Sequence, residues 1–434
     1  MREMKDSGIS WIPKIPINWS IHRLKYIVDS LSKGNGITKE DVLLNGDTPC
    51  VRYGEIYSKY DYSFTTCISR TNVDKVSSPQ YFSYGDILFA GTGELIEEIG
   101  MNIVYLGDDD CLAGGDIIIA RHQQNPAFLN YALNSGYIQS QKGFGKAKLK
   151  VVHISAFDLG NLIVALPPIT EQKLIADYLD SKCAELNSTL SDIQSQIETL
   201  EEYKRSVITE AVTKGLDPDV EMRDSGVQWI GMIPKHWSLY RMATLYTERN
   251  ERGSNELPLL SVSINTGVSD TELSDEESQR VFVRSEDRTK YKRVYPQDLT
   301  YNMMRAWQGA FGAVRVNGMV SPAYVVAKPL KKIDTRYIEA LLRTPSAIQE
   351  MHRYSYGVAD FRLRLYWNKF RTIKVCFPPL EEQHKIADYI DEKANEIDTI
   401  IATKQRQIET IEEYKKSLIF EYVTGKKEVK TETE

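Results

Sequence analysis

The sequence says nearly the same thing twice. MKDSGISWIPKIPINWS (residues 4–20) returns as MRDSGVQWIGMIPKHWS (residues 222–238), an offset of 218 that maps Asp6-Ser7-Gly8 onto Asp224-Ser225-Gly226 and Trp19 onto Trp237. A second pair recurs at an offset of 211: LPPITEQKLIADYLDSK (166–182) with FPPLEEQHKIADYIDEK (377–393), continuing through IETLEEYKRSVI (197–208) and IETIEEYKKSLI (408–419). The repeat unit is therefore an opening motif, a variable middle and a long constant tail, and the second middle is seven residues shorter. The two middles, 21–165 and 239–376, have little in common. A chain of 434 residues has room for two or three domains, so the duplication predicts two copies of one module whose frame is fixed and whose contents diverge.

The tails read as helices. Pro167-Pro168 cannot lie inside a helix, and beyond them the apolar residues fall into heptads. Leu179, Leu186, Ile193, Leu200 and Val207 are seven apart, with Cys183, Leu190, Ile197 and Ala211 interleaved. The second tail gives Ile390, Ile397, Ile411 and Leu418, interleaved with Ala394, Ile401, Ile408 and Tyr422. This 3-4 alternation predicts a coiled-coil seam. Basic residues interrupt it at Lys204, Lys415 and Lys404. A helix over 170–213 would be roughly 66 Å long, too long to leave its seam in water. The simplest partner is the other tail of the same chain, and the alternative is another subunit.

The middles read as mixed α/β. GDILFAGTG (85–93), DIIIAR (116–121), NLIVAL (161–166), AYVVAK (323–328) and TIKVCF (372–377) are short apolar or β-branched runs between turn residues, which predicts strands. PAFLNYALNSGYIQSQ (126–141) and TRYIEALLRTPSAIQEMH (335–352) have helical spacing, each after a strand. The expected fold class is two tandem mixed α/β (α+β) domains separated by two long antiparallel coiled-coil helices.

Catalytic signatures are missing. There is no GxxxxGK[ST], no HExxH and no EF-hand loop. LPPI and FPPL lack the Asn/Asp and the aromatic that a DNA-base methyltransferase places around its two prolines. The six histidines have no metal spacing, and the five cysteines form no CxxC pair, which argues for a reducing compartment. The N-terminus has no secretory apolar core, and no run of 18 apolar residues predicts a membrane span.

The net charge of −6 hides its distribution. Residues 222–376 carry 24 Lys+Arg against 16 Asp+Glu, whereas residues 166–221 carry 5 against 12. A local basic surface is what phosphate binding needs. In RVFVRSEDRTKYKRVY (280–295), Arg284, Arg288, Lys290, Lys292 and Arg293 alternate with tyrosines. In RYSYGVADFRLRLYW (353–367), Arg353, Arg362 and Arg364 accompany Tyr356, and Arg305 lies in MMRAWQGAFG (303–312). Lys and Arg neutralise phosphates, and Arg pairs with guanine edges. The alternative reading is a solvated basic face. In the first middle the candidates are Lys142, Lys146, Lys148 and Lys150 of KGFGKAKLK, then Arg52 and Tyr53. AGTGELIEEIG (90–100) and MMRAWQGAFG are expected to be equivalent reading loops with different contents.

The doubled DSGxxWxxxIPxxW openings, the doubled PP[IL]xEQxxIADY[LI]D helix starts and the IET[LI]EEYK[RK]S tails resemble the specificity subunit of type I restriction-modification enzymes. The resemblance covers about 1–425. It implies a first target recognition domain at 1–165 and a first spacer helix at 166–217. A second recognition domain at 218–376, a second spacer helix at 377–425 and a disordered tail at 426–434 follow. It further implies a non-catalytic cytoplasmic chain that reads a bipartite double-stranded DNA site. Two methyltransferase subunits would methylate adenine N6, and two motor subunits would cleave. S-adenosylmethionine, ATP and magnesium would belong to those partners. Readers one helical turn apart, about 10 bp, would leave an unread gap of about 5–8 bp. Two alternatives are a specificity chain in a single-polypeptide layout and a coiled-coil scaffold without a DNA role.

Overall fold

The computed structural model describes residues 2–146, 151–264, 266–272, 290–357 and 363–429. The chain divides into two units. The first combines Met1–Ile193 with Gln405–Glu434, and the second is Gln194–Lys404. Each unit thus holds one opening motif, one middle, the first half of one tail and the second half of the other.

In unit 1 the opening folds as an antiparallel hairpin, Met4–Ile9 against Ile12–Pro16. Asp6 Oδ1 accepts the Gly8 amide at 2.9 Å, and Gly8 sits at φ +71°, a conformation that favours glycine. Unit 2 repeats the device: Met222–Asp224 pairs with Met232–Pro234, Asp224 Oδ1 accepts the Gly226 amide at 2.9 Å, and Gly226 has φ +65°. The DSG motif is a turn, not a ligand site.

The next strand of each unit closes onto the end of its middle. Ser20–Arg23 pairs antiparallel with Ile163–Leu166, and Ser238–Arg241 pairs with Lys374–Phe377. This carries the second tryptophan of each opening to the start of a long helix. Trp19 and Trp237 are both 1% exposed. Trp19 Nε1 donates to Glu171 Oε1 at 3.1 Å, and Trp237 Nε1 donates to Glu382 Oε1 at 3.0 Å. The adjacent glutamines make a second lock. Gln172 Oε1 accepts the Asn125 amide (3.0 Å) while its Nε2 donates to the Pro167 carbonyl (3.0 Å). Gln383 accepts the Asp334 amide (3.0 Å) and donates to the Pro378 carbonyl (2.8 Å).

Each middle is built on a sheet of its own, and the two sheets are equivalent. In unit 1 the strand order is Val28–Lys33, Ile117–His122, Ile87–Ala90, Asn102–Tyr105 and Ser63–Phe64; in unit 2 it is Tyr246–Arg249, Tyr324–Pro329, Leu299–Asn302 and Phe311–Ala313. Unit 1 adds a four-stranded sheet ordered Ser69–Thr71, Thr48–Val51, Cys111–Ala113, Tyr81–Phe82. The two helical stretches expected at 126–141 and 335–352 are each broken into two helices: Pro126–Leu133 and Gly136–Gly143, then Thr335–Leu342 and Pro345–Tyr354. Pro345 has no amide to continue a helix, and Thr344 caps the new one by accepting the Ala347 amide.

The tails are single helices, Ile169–Lys214 and Leu380–Val423. Within unit 1, the Tyr178 and Tyr422 rings lie 4.6 Å apart and Lys415 Nζ donates to Asn187 Oδ1 at 2.7 Å. Within unit 2, Lys404 Nζ donates to Gln196 Oε1 at 2.5 Å and Lys204 Nζ pairs with Asp398 at 2.6 Å. Partner numbers rise on one helix as they fall on the other, so in each unit the segments run antiparallel. The three lysines that interrupt the heptads each find an acceptor on the facing helix. Leu179, Ile193, Ile197, Ile390 and Ile397 are buried, and Leu186, Leu190, Leu200, Ile401, Ile408 and Ile411 are half-buried. Of the expected disordered tail, Val429 packs on the unit 1 core and Lys427 pairs with Glu421, while 430–434 lie outside the described residues.

Candidate nucleic-acid interface

In both units the loop leaving the central strand meets the segment that follows the second short helix. In unit 2 the loop is 303–310. It begins at Asn302, whose Oδ1 accepts the Met304 amide (3.0 Å), and Trp307 Nε1 donates to the Met304 carbonyl (2.9 Å). Gly309, at φ +93°, turns the chain back. Leu365 N donates to the Met303 carbonyl (2.9 Å), and the Trp307 and His352 rings meet edge-on at 5.6 Å. Tyr356 and Arg364 exchange backbone hydrogen bonds of 3.1 Å in both directions, and the Tyr356 ring stacks on Tyr366 with centroids 5.0 Å apart.

This arrangement brings Arg305, Arg353, Tyr356 and Arg364 to one region of unit 2. Arg364 and Arg353 are exposed, Tyr356 is half-exposed and Arg305 is half-buried. Arg353 is held by Glu350 at 2.7 Å. Lys292 and Arg293 lie on a neighbouring strand, Lys292–Val294. Lys292 Nζ donates to the Tyr324 carbonyl (2.8 Å), and Tyr324 faces Asn302 in the sheet. Burial lowers the pKa of the Lys292 amine. Arg293 and Arg249 both lie over the Tyr295 ring, at 4.8 and 4.4 Å. Lys290 is exposed. Arg284, Arg288 and Arg362 lie outside the described residues, as do Lys148 and Lys150.

In unit 1 the corresponding loop is 91–101. Thr92–Gly93 pairs with Val152–His153, and Gln139 Nε2 donates to the Ile99 carbonyl (3.0 Å). Of the expected basic run, only Lys142 and Lys146 are among the described residues. Lys142 is a correction: it is 1% exposed, and its Nζ donates to the Gly100 carbonyl (2.7 Å) and to Asn102 Oδ1 (2.8 Å), above the Phe89 ring. Burial pushes its pKa down to about 7. A side chain so enclosed holds the loop and cannot reach a phosphate. Lys146 is tied to Asp158 at 2.9 Å.

Arg52 and Tyr53 stand at the rim of a groove of about 590 Å³, lined also by Gly36, Thr38, Lys39, Lys59 and Asp116. Arg52 pairs with Glu55 at 3.0 Å, and Tyr53 is 41% exposed. Tyr57 donates to the Thr92 carbonyl (3.1 Å), which joins the helix after Arg52 to the 91–101 loop. Lys39 and Lys59 were missed in the sequence. Their signal was the glycines: a Cβ on Gly34 would lie 2.3 Å from the Gly114 carbonyl, so GNG (34–36) and AGGD (113–116) mark two backbones in contact beside the groove.

Among the described residues, no group of three or more His, Cys, Asp or Glu is placed to hold a metal ion, and no helix is long and apolar enough to cross a membrane.

A family sequence model described as "Type I restriction modification DNA specificity domain" matches residues 16–199 and again 256–410. The putative type I restriction enzyme MjaX specificity subunit of Methanocaldococcus jannaschii is 25% identical over 442 residues, covering 97% of this chain and 96% of that protein. The type I restriction enzyme EcoBI specificity subunit of Escherichia coli is 24% identical over 301 residues, covering 64% of this chain and 60% of that one. A solved structure described as the structural basis of complex assembly and conformational transition of the type I R-M system has the same fold. Its TM-score is 0.69 at 13% identity, over 95% of this chain and 99% of the other.

Proposed function

This chain belongs to the type I restriction modification DNA specificity family, and from that premise we propose that each of its two units reads one half of a split, asymmetric double-stranded DNA site. Its role is that of the DNA sequence-specificity subunit. The observation that carries the division of labour is the pairing of a constant frame with unlike contents. The Trp–Glu and Gln locks recur atom for atom, yet the loop that meets the second helical segment carries Arg305 and Trp307 in unit 2 and Thr92, Glu94 and Glu98 in unit 1. Two identical frames with identical readers would suit a palindrome. Two with different readers suit an asymmetric site.

The division into recognition domains at 1–165 and 218–376 and spacer helices at 166–217 and 377–425 belongs to this reading. In unit 1 the contacts fall to Arg52, Tyr53 and Lys146 with Lys148 and Lys150. In unit 2 they fall to Arg284, Arg288, Lys290, Lys292, Arg293, Arg305, Arg353, Tyr356, Arg362 and Arg364. Lysine and arginine neutralise phosphates and give binding that weakens steeply with salt. The paired helices fix the gap between half-sites and dock two methyltransferase subunits. These use S-adenosylmethionine to methylate adenine N6. Two motor subunits with ATP and magnesium add cleavage. The chain itself supplies no catalytic group and works in the cytoplasm.

The test is to co-express the chain with its methyltransferase subunit in a methylation-free host and to map N6-methyladenine genome-wide. The expected result is one two-part motif with a fixed gap, methylated on both strands. A soluble complex that leaves no motif and binds DNA without salt dependence would refute the proposal.

A further inference from the structure

The end of unit 2 has more structure than a basic face requires. Its loop 303–310 is closed on itself: Arg305 N donates to the Asn302 carbonyl (3.0 Å), and Ala310 N returns to the Arg305 carbonyl (3.2 Å). The strand-like pair at Tyr356 and Arg364 is pinned from both directions, and the neighbouring Leu365 is bonded to Met303, two residues before Arg305. Two arginines are thereby carried on fixed backbone in adjoining segments.

Their side chains lack the carboxylate that some other arginines of unit 2 hold. Arg249, Arg336, Arg343 and Arg353 each hold a carboxylate. Arg305 and Arg364 have no ion-pair partner among the described residues, and the Tyr356 ring beside Arg364 is 48% exposed and immobilised on Tyr366. A surface that needed only diffuse positive charge would be served by lysines on flexible stems. A planar guanidinium on fixed backbone, beside a fixed aromatic face, suits a directional acceptor pair. In B-DNA that pair is guanine O6 and N7 in the major groove.

We propose that Arg305 and Arg364 are the specificity-determining residues of unit 2 and that its half-site contains guanine read by them. The inference rests on the reading of unit 2 as a DNA half-site reader, and the experiment separates the two.

The full chain, co-purified with its methyltransferase subunit, is prepared as wild type, R364A, R364K and R305A. Methylation motifs are mapped for each, and affinity is measured on duplexes with the guanine changed. The expected result is that R364A and R364K both relax one guanine position of one half-site, by about 10- to 100-fold in discrimination. R305A relaxes a guanine of the same half-site, and the other half-site and the gap do not change. Should R364A fail to fold, R364K decides alone, since it keeps the charge at an exposed position. A phosphate contact would give a different outcome: R364K behaves as wild type, and R364A weakens binding on every sequence without altering the motif. That outcome overturns the inference, as does a wild-type motif with no guanine in either half. A wild-type complex that produces no two-part motif at all defeats the functional reading itself.

Discussion

Gln383 offers the sharpest test of how each unit is locked. It is fully buried, and its side chain bridges two backbone groups that have moved together from distant parts of the sequence, the Asp334 amide at 3.0 Å and the Pro378 carbonyl at 2.8 Å. Asp334 is 1% exposed and Pro378 is buried, so water does not replace the lost partner. Gln383→Ala strands one donor and one acceptor at about 1–3 kcal/mol each, a total of about 3 kcal/mol. The Asp334 amide precedes the helix Thr335–Leu342, so the loss falls on unit 2. Two separate units make a single melting temperature uninformative. Amide exchange read segment by segment is the right assay. At 1.4 kcal/mol per tenfold, protection over 335–354 should drop about 100-fold, while 126–143 in unit 1 stays within about threefold. Gln172→Ala should do the reverse, because Gln172 holds the Asn125 amide and the Pro167 carbonyl in the same way. A Gln383→Ala loss below about threefold, or a loss shared equally by both units, would refute the lock.

The Lys142 amine titrates near 7 in the folded chain, because burial pushes its pKa down, and near 10.4 when unfolded. Between these values the unfolded chain binds more protons, so this group makes unit 1 more stable as pH rises from about 7 and adds no slope below it. Lys142→Met should remove that slope, read as a pH-dependent difference in exchange protection between wild type and variant; a constant difference from pH 6.5 to 9 would count against it. Trp237→Phe and Glu382→Ala each remove one partner of the 3.0 Å indole–carboxylate bond. A double-mutant cycle followed by unit 2 exchange should give a coupling of about 1–2 kcal/mol, and additive losses would show the contact to be incidental. Inserting seven residues after Ile193 and seven after Lys404 should lengthen the paired helices by about 10 Å. At about 3.4 Å per base pair, the methylated motif should gain about 3 bp of gap with its half-sites unchanged. A variant that keeps the original gap is incompatible with helices that set the spacing.

Much of the frame was legible because it is written twice. The offset of 218 predicted two equivalent openings, and the offset of 211 predicted two equivalent helix starts. The apolar runs at 87–90, 117–122 and 324–329 became strands because a buried strand needs little more than such a run between turns. What was not legible depends on a partner outside the local window. Lys142 reads as one more lysine in KGFGKAKLK, yet it stands four residues after the buried Ile138 and shares its helix face. Lys204, Lys404 and Lys415 look like defects in a heptad until Asp398, Gln196 and Asn187 are placed across from them. The glycines of 34–36 and 113–116 signal a close approach, but not that two segments some 80 residues apart in sequence meet each other beside residues 52–59 to form the Arg52 groove.

The locks also explain how the middles diverge without unfolding the frame. Each glutamine grips main-chain atoms: an amide before the first short helix and the carbonyl of the first proline in the PP pair. Any residue but proline supplies that amide. Asn125 does so in unit 1 and Asp334 in unit 2, and each then uses its own side chain to cap the helix that follows. The strand pairs Ser20–Arg23 with Ile163–Leu166 and Ser238–Arg241 with Lys374–Phe377 are likewise joined through backbone. Side-chain identity is demanded of the constant motifs: the indole of Trp19 or Trp237, the carboxylate of Glu171 or Glu382, and the glycine of each DSG turn. The loops at 91–101 and 303–310 contribute nothing to these locks. Their substitution alters what the unit presents while the bonds that close the unit keep the same atoms. A frame closed in this way separates the residues that fold the unit from those that read a partner.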